Sequence, residues 1–118
     1  MHQFKITSII MCIIAILLSC TGPTAFIDCD NQTEFNASLY LDGISTDESI
    51  VIASPPFYKS GSLLKTEESF NWKLRLFTNT GTETFADSGN IDIKYGQNIC
   101  MVHYSDPESI SVVWKREE

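Results

Sequence analysis

The residues of this sequence with the clearest chemistry are its four cysteines, Cys12, Cys20, Cys29 and Cys100. A cysteine thiol can accept an acyl chain, ligate a metal, act as a nucleophile or pair in a disulfide. Cys12 and Cys20 lie within and at the end of an almost unbroken apolar run over residues 6–20. Cys29 and Cys100 lie near the two ends of the rest of the chain. The two pairs therefore predict different chemistry.

The apolar run has the layout of a secretory signal. It follows a short start whose positive charges are Lys5 and the amino terminus. It is shorter than the roughly 20 apolar residues that a membrane-spanning helix needs. We therefore expect the protein to be exported, with Cys12 removed together with the signal.

The end of this signal, Leu17-Leu18-Ser19-Cys20, resembles the lipobox of bacterial lipoproteins. That motif has an aliphatic residue three places before an obligatory cysteine and a small residue directly before it. The resemblance implies a lipoprotein signal peptide over residues 1–19, lipidation of Cys20 and a lipidated tether over residues 20–25. Acyl chains contribute about 0.8 kcal/mol per buried methylene, so they anchor a protein without a spanning helix. Because Thr21 and not aspartate follows, the resemblance implies the bacterial outer membrane, on the side facing the periplasm.

Two other ways of processing the signal stay open. In one, an ordinary peptidase cuts the signal and the protein is secreted; in the other, the segment stays as an uncleaved anchor. Pro23 makes both sites for ordinary cleavage unfavourable. A cut after Ala25 would place Pro23 three positions upstream, where a small residue is required, and a cut after Gly22 would place Pro23 directly after the cleaved bond.

Cys29 and Cys100 predict a disulfide. They are the two thiols left in an oxidising compartment, and neither has a histidine or cysteine beside it at metal-ligand spacing. Closing so long a loop contributes about 4 kcal/mol in the chain-entropy model. The alternative is a pair of free thiols with a redox role, although their spacing is not that of a CxxC motif.

Other chemically active side chains are sparse. His103 is the one histidine outside the signal, and no GxSxG or comparable motif supplies a nucleophile for it. Asp42, Asp47 and Glu48 could gather around calcium, but EF-hand spacing is absent. We therefore expect no catalytic residues, no metal site and no cofactor, and a protein that is not an enzyme.

Two segments fit the N-glycosylation sequon, Asn31-Gln32-Thr33 and Asn36-Ala37-Ser38. They carry no meaning in a bacterial lipoprotein. In a secreted module of a virus or a eukaryote, Asn31 and Asn36 would both carry glycans. This secreted glycoprotein is the alternative function.

The best candidate for contact with a partner is the segment Pro55, Pro56, Phe57 and Tyr58. Two prolines stiffen the backbone, and adjacent aromatic side chains offer a large contact area at low entropic cost. The competing interpretation is that Phe57 folds back and plugs one end of the domain.

Net charge limits the kinds of partner. The chain carries −7 at neutral pH, and loss of Lys5 with the signal makes it more negative by one unit. Nucleic acids and anionic membrane surfaces select lysine and arginine. We therefore expect no nucleic-acid partner, and membrane association only through the lipid on Cys20.

The elements that must position these residues are strands. Apolar and polar residues alternate with period two along residues 34–41 and 69–78, which is typical of half-buried strands. No amphipathic helix follows the signal. The strands are separated by the two prolines at 55–56, which cannot donate to a strand ladder, and by turn residues at 79–81 and 87–90. Residues 57–61 are expected to be irregular. The other candidate strands cover residues 25–29, 49–53, 62–65, 83–86, 91–95, 98–104 and 110–115.

Seven to nine short strands without a helix must pack as two sheets, because one sheet would leave a bare apolar face. We therefore predict an all-β fold over residues 26–118. It is a single small antiparallel β-sandwich of the immunoglobulin/transthyretin-like kind, with one disulfide joining its first strand to a late one.

Residues 35–102 also resemble a family of small secreted bacterial β-sandwich domains. The resemblance rests on the segment LYLDG, a short apolar strand after it, and WKLRLFTNTGTETFADSGNIDIKYGQNICMV. The family has no assigned activity, so the resemblance implies fold and envelope location. Together with the lipobox it predicts a non-enzymatic envelope lipoprotein that acts as a protein-binding or assembly module in the periplasm.

Overall fold

The structure, a computed structural model, describes residues 23–117. This part of the chain is all-β and contains no helix, as the sequence predicts. Its eight strands are β1 (Ala25–Asn31), β2 (Asn36–Gly43), β3 (Ser49–Ser54), β4 (Tyr58–Leu64), β5 (Glu68–Phe77), β6 (Glu83–Ile93), β7 (Gly96–Asp106) and β8 (Ser109–Glu117).

The strands form two four-stranded sheets. Sheet A has the order β4-β1-β7-β8, and sheet B has the order β3-β2-β5-β6. All neighbouring pairs are antiparallel except β1 and β7, which run parallel. The two-sheet arrangement is confirmed, and this parallel pair departs from the expected antiparallel sandwich. Alternation along a strand reports which face is buried but not the direction of the neighbouring strand, so the sequence could not reveal it.

The core lies between the sheets and is built by the alternation along each strand. Leu39 and Leu41 of β2 and Leu74 and Leu76 of β5 point inward and are fully buried. Burying a side chain of this size contributes about 1.5–3 kcal/mol. The remaining buried apolar residues are Ala25, Ile27, Cys29, Ala37, Ile52, Leu64, Phe70, Trp72, Ile93, Ile99, Cys100 and Val102.

The turn predicted at residues 87–90 is wrong, because β6 runs unbroken through it. These residues pair with β5 in register, from Leu74 opposite Asp87 to Asn71 opposite Asn90. Gly89 lies over the Trp72 indole, where an added Cβ would stand 3.0 Å from the indole nitrogen. The glycine that reads as a turn residue is therefore needed for close packing within a strand.

The irregular segment predicted before residue 62 is also wrong in part, since β4 begins at Tyr58. All seven of its residues pair with β1, from Asn31 opposite Tyr58 to Ala25 opposite Leu64. Gly61 faces the Asp28 side chain, and a Cβ at that position would clash with its carboxylate. Pairing across the sheet determines this strand, although its own residues favour it weakly.

The sandwich has two distinct ends. At the first, which we call the tether end, β1 begins and the Gly96 amide donates to the Thr24 carbonyl (3.0 Å). At the second, the distal end, β1 ends at Asn31 beside the start of β4 and the last part of β7. Seven residues of strand separate the two ends by about 20 Å.

Candidate functional site

The predicted partner-contact segment forms a projecting tip at the distal end. We call residues 55–58, which are the link between β3 and β4 together with the first residue of β4, the distal tip. The Phe57 side chain is 73 % exposed and the Tyr58 side chain 61 %. Phe57 therefore does not plug the sandwich, and the competing interpretation of this residue is wrong. The tip presents two neighbouring aromatic rings to solvent.

Hydrogen bonds hold the tip in a fixed and strained conformation. Phe57 has a φ of 56°, a left-handed conformation that costs a residue other than glycine about 1–3 kcal/mol. Its amide donates to the Thr33 carbonyl (3.1 Å) in the turn between β1 and β2. The Ser54 hydroxyl donates to the Tyr58 carbonyl (2.6 Å) across the base of the tip. Strain of this kind persists where the surrounding structure over-determines it, and it clusters at functional sites.

Asn31 supports the tip from below. Its side chain is fully buried, and its amide nitrogen lies within hydrogen-bond distance of the carbonyls of Phe35 (2.6 Å), Ser54 (3.1 Å) and Pro55 (3.1 Å). Its amide oxygen accepts from the backbone amide (3.1 Å) and the hydroxyl (2.7 Å) of Thr33. One asparagine thus joins the β1–β2 turn to the base of the tip.

The same geometry bears on the first sequon. A glycan on Asn31 would be attached to the amide nitrogen that makes these bonds, at a position with no exposed surface. In this fold Asn31 and Thr33 form an asparagine turn, in which the asparagine oxygen accepts the amide hydrogen two residues on. Asn36, in the second sequon, is half-buried at the start of β2. A glycan on Asn31 is therefore incompatible with the folded domain.

Replacing Phe57 with glycine tests the strain and the exposure together. We expect the free energy of unfolding to rise by up to about 1 kcal/mol, since glycine adopts positive φ without a steric penalty and no packing is lost. Urea denaturation of the two proteins measures the difference. Phe70→Ala, in the core, is the control and should lose about 3–5 kcal/mol. A comparable loss for Phe57→Gly would show that the Phe57 ring packs in the folded protein.

The predicted cysteine pair is brought together at the centre of sheet A. Cys29 of β1 and Cys100 of β7 are register partners on neighbouring strands, and both are buried free cysteines in the structure. Adjacent strands lie about 4.8 Å apart, within the range of Cα separations that disulfides span. A hydrogen bond with the Cys29 thiol, together with burial, raises the pKa of the Cys100 thiol far above its ordinary range. Its reactive thiolate is therefore suppressed.

The acidic loop that could have held calcium is organised by Glu68 instead. The Glu68 carboxylate accepts hydrogen bonds from the hydroxyls of Thr46 (2.7 Å) and Ser45 (3.0 Å) and from the Thr46 amide (3.0 Å). Asp42 accepts from the Ser49 hydroxyl (2.9 Å). Within residues 23–117 no three His, Cys, Asp or Glu side chains are grouped so that they could hold a metal ion.

These hydrogen bonds make the loop sensitive to pH. The Thr46 hydroxyl above all, helped by Ser45, lowers the pKa of Glu68 from its ordinary value of 4.5. The ionised form is favoured in the folded state, so this contribution to stability is complete above pH 4.5 and is lost as the pH falls below it. We expect Glu68→Gln to flatten the dependence of the melting temperature on pH in this acidic window. Glu48→Gln, at an exposed side chain of the same loop, should leave the dependence unchanged. Parallel curves for Glu68→Gln and the unchanged protein would contradict the assignment.

His103 lies on β7. Its Nδ1 lies 3.3 Å from the Tyr104 carbonyl, and no other hydrogen bond or ion pair involves its ring within residues 23–117. Nearby, the Tyr104 hydroxyl donates to both oxygens of Glu34 (2.7 and 2.8 Å), which lowers the pKa of that carboxyl. These contacts are exposed.

Cys20, the predicted lipid attachment, lies outside the described residues, as do the predicted signal over residues 1–19 and most of the tether. Over residues 23–117 we find no helix with the length and apolar character required to span a bilayer.

Comparison with known proteins leaves the chain without an assigned relative. No family model, no curated protein and no solved structure matches it.

Proposed function

We propose that this protein is a non-enzymatic lipoprotein of the bacterial outer membrane that binds another protein on the periplasmic side through its distal tip. The lipid on Cys20 holds the domain to the membrane, and the exposed rings of Phe57 and Tyr58 contact the partner. No cofactor, metal or nucleic acid takes part.

The single observation that supports this proposal most strongly is the position of the tip. The tether from Cys20 joins the domain at Thr24, and β1 then carries the chain about 20 Å to the distal end. Two exposed aromatic residues on a backbone fixed in a strained conformation lie there, at the opposite end of β1 from Thr24. A rigid tip loses little conformational entropy on binding, so more of its contact energy becomes affinity.

Two finer features belong to the same proposal. We propose that Cys29 and Cys100 are oxidised to a disulfide in the periplasm, where the oxidant of the compartment accepts the two electrons and two protons. We also propose that the two-sheet domain belongs to the immunoglobulin/transthyretin-like kind of sandwich.

The alternative, a secreted glycoprotein module, has less support. Of its two proposed glycan sites, Asn31 is fully buried and its amide nitrogen is engaged by three carbonyls. Asn36 alone would remain for modification.

The experiment that tests the anchor is the intact mass of the protein expressed in a bacterium, with and without globomycin. We expect a chain that starts at Cys20 and carries acyl groups, with uncleaved precursor accumulating under the drug. An unacylated product cut elsewhere would overturn the lipoprotein proposal and favour secretion.

The contact is tested separately by placing a photo-crosslinking amino acid at Phe57. We expect one defined crosslinked protein in cells. The matched control is Val51, which is 54 % exposed on the outer face of β3 and should give no such product. Identical products from both positions, or none from Phe57, would contradict the role of the tip.

A further inference from the structure

The sandwich is open along one side. On the opposite side β3 and β4 contact each other across the two sheets. On the open side the edge strands are β6 of sheet B and β8 of sheet A, and they are not hydrogen-bonded to each other. Each therefore has one row of backbone amides and carbonyls that no strand pairs within residues 23–117.

β8 is the less protected of these two edges. Its middle, residues 110–114, reads Ile-Ser-Val-Val-Trp and contains no charge, proline or glycine. β6 carries Glu83, Asp87 and Asp92 spread along its length, whereas the charged residues of β8 (Lys115, Arg116 and Glu117) are confined to its last three positions. Charged residues are the usual protection of an edge against pairing with another chain, so β8 is the edge suited to accept one.

A cleft runs beside β8 towards the tether end. Its volume is about 420 Å³, which is within the range of ligand sites. Ile91 and Trp114 form part of its lining, and Trp114 packs edge-on against Trp72 with ring centroids 6.1 Å apart. The cleft thus gives an apolar surface next to the free backbone of β8.

The charge of the cleft is opposite to that of the chain. Lys94, Lys115 and Arg116 line it, and Asp92 is the one acidic residue in the lining. Lys115 pairs with Glu117 (3.4 Å), whereas Lys94 and Arg116 form no ion pair within residues 23–117. In a chain with 15 acidic and 8 basic residues, this concentration of cations favours an anionic ligand.

A second feature of the cleft is a hydrogen-bond donor on Trp114 that has no acceptor within the domain as described. The Trp114 indole N–H is the one buried side-chain polar atom without a hydrogen-bond partner among the described residues. Leaving such a donor unpaired is destabilising.

We propose that β8 and the cleft beside it bind an extended acidic segment of a partner protein. The segment adds to sheet A as a further strand, with its backbone paired to β8, an apolar side chain against Trp114, and a carboxylate between Lys94 and Arg116. This mode of binding takes affinity from main-chain hydrogen bonds and specificity from alternate side chains. The inference deepens the proposed function as a protein-binding module but does not require lipidation.

The test is selection from a phage library of short random peptides, using the chain over residues 20–118 with Cys20→Ser. All core residues lie within this chain. We expect the enriched peptides to combine β-branched or aromatic residues with Asp or Glu. Synthetic copies of them should bind less tightly as salt concentration rises, because a cation–carboxylate contact is screened.

Two double variants decide whether the peptides occupy the cleft. Lys94→Gln with Arg116→Gln should weaken binding about tenfold or more, since two charge-assisted contacts are lost. Lys59→Gln with Lys73→Gln makes the same change in net charge away from the cleft and should leave affinity unchanged. Unchanged melting temperatures establish that both variants fold.

Three results would overturn the inference: no enriched peptide, peptides that bind the Lys94/Arg116 variant as tightly as the unchanged protein, or peptides without acidic residues. Binding that resists the cation changes but is lost in Phe57→Ala would support the distal tip and contradict the cleft. Failure of the tip or of lipidation would leave a cleft-dependent result unaffected.

Discussion

Replacement of Asn31 with alanine is expected to lower the free energy of unfolding by about 3–5 kcal/mol. The variant leaves the carbonyls of Phe35, Ser54 and Pro55 without their common donor and the Thr33 amide without its acceptor. Each buried polar group left unsatisfied costs about 1–3 kcal/mol.

Urea denaturation of the variant and the unchanged protein measures this loss. Asn90→Ala is the matched control, because the Asn90 amide makes one exposed hydrogen bond to Asn71 (2.8 Å) and should change stability by less than about 0.5 kcal/mol. Asn31→Asp keeps the acceptor and removes the donors, so it should lose a large part of the same free energy. If Asn31→Ala behaved like the control, Asn31 would not organise the distal end.

Asn31 also connects stability with the proposed binding. The Thr33 carbonyl that holds the Phe57 amide belongs to the turn that Asn31 fixes. In the protein that remains folded, Asn31→Ala should therefore reduce crosslinking from Phe57 although the aromatic rings are unchanged. Reduced crosslinking in a variant that keeps the residues of the distal tip would demonstrate that the rigidity of the tip contributes to binding.

The second large effect is expected from the cysteine pair. In the exported protein, reduction of a Cys29–Cys100 disulfide should lower the free energy of unfolding by about 4 kcal/mol, because the bond closes a long loop in the unfolded chain. The native fold should change little, since the two residues already face each other on neighbouring strands. Both side chains are fully buried, so the bond should resist reductant until the domain unfolds.

Intact mass and denaturation, each with and without reductant, test this prediction. The oxidised protein should be lighter by two hydrogen atoms, and its unfolding midpoint should fall on reduction. A Cys29→Ala, Cys100→Ala variant serves as the control, and its midpoint should not respond to reductant. Exported protein that retains both thiols would contradict the disulfide and leave the pair as packed core side chains.

Much of the fold could be predicted from local pattern. Period-two alternation identifies β2 and β5 and the residues they bury, because successive side chains on a strand point to opposite faces. The absence of any amphipathic helix then requires two sheets to cover each other. Residue type and backbone stiffness selected Phe57 and Tyr58 as a candidate contact but left open whether Phe57 is exposed or plugs the domain, and the structure shows it exposed.

The sequence by itself thus determined which residues face inward and that the domain is all-β. Tertiary structure alone decided which strands are neighbours. It put Cys29 and Cys100 on parallel strands, drew Gly89 into β6 against the Trp72 indole, and brought Lys94 of the β6–β7 turn and Arg116 of β8 to one cleft. It also made Asn31, which the sequence presents only as part of a sequon, the buried support of the distal tip. The physical reason is that alternation is set within one strand, whereas pairing, register and close approach depend on residues far apart in the chain.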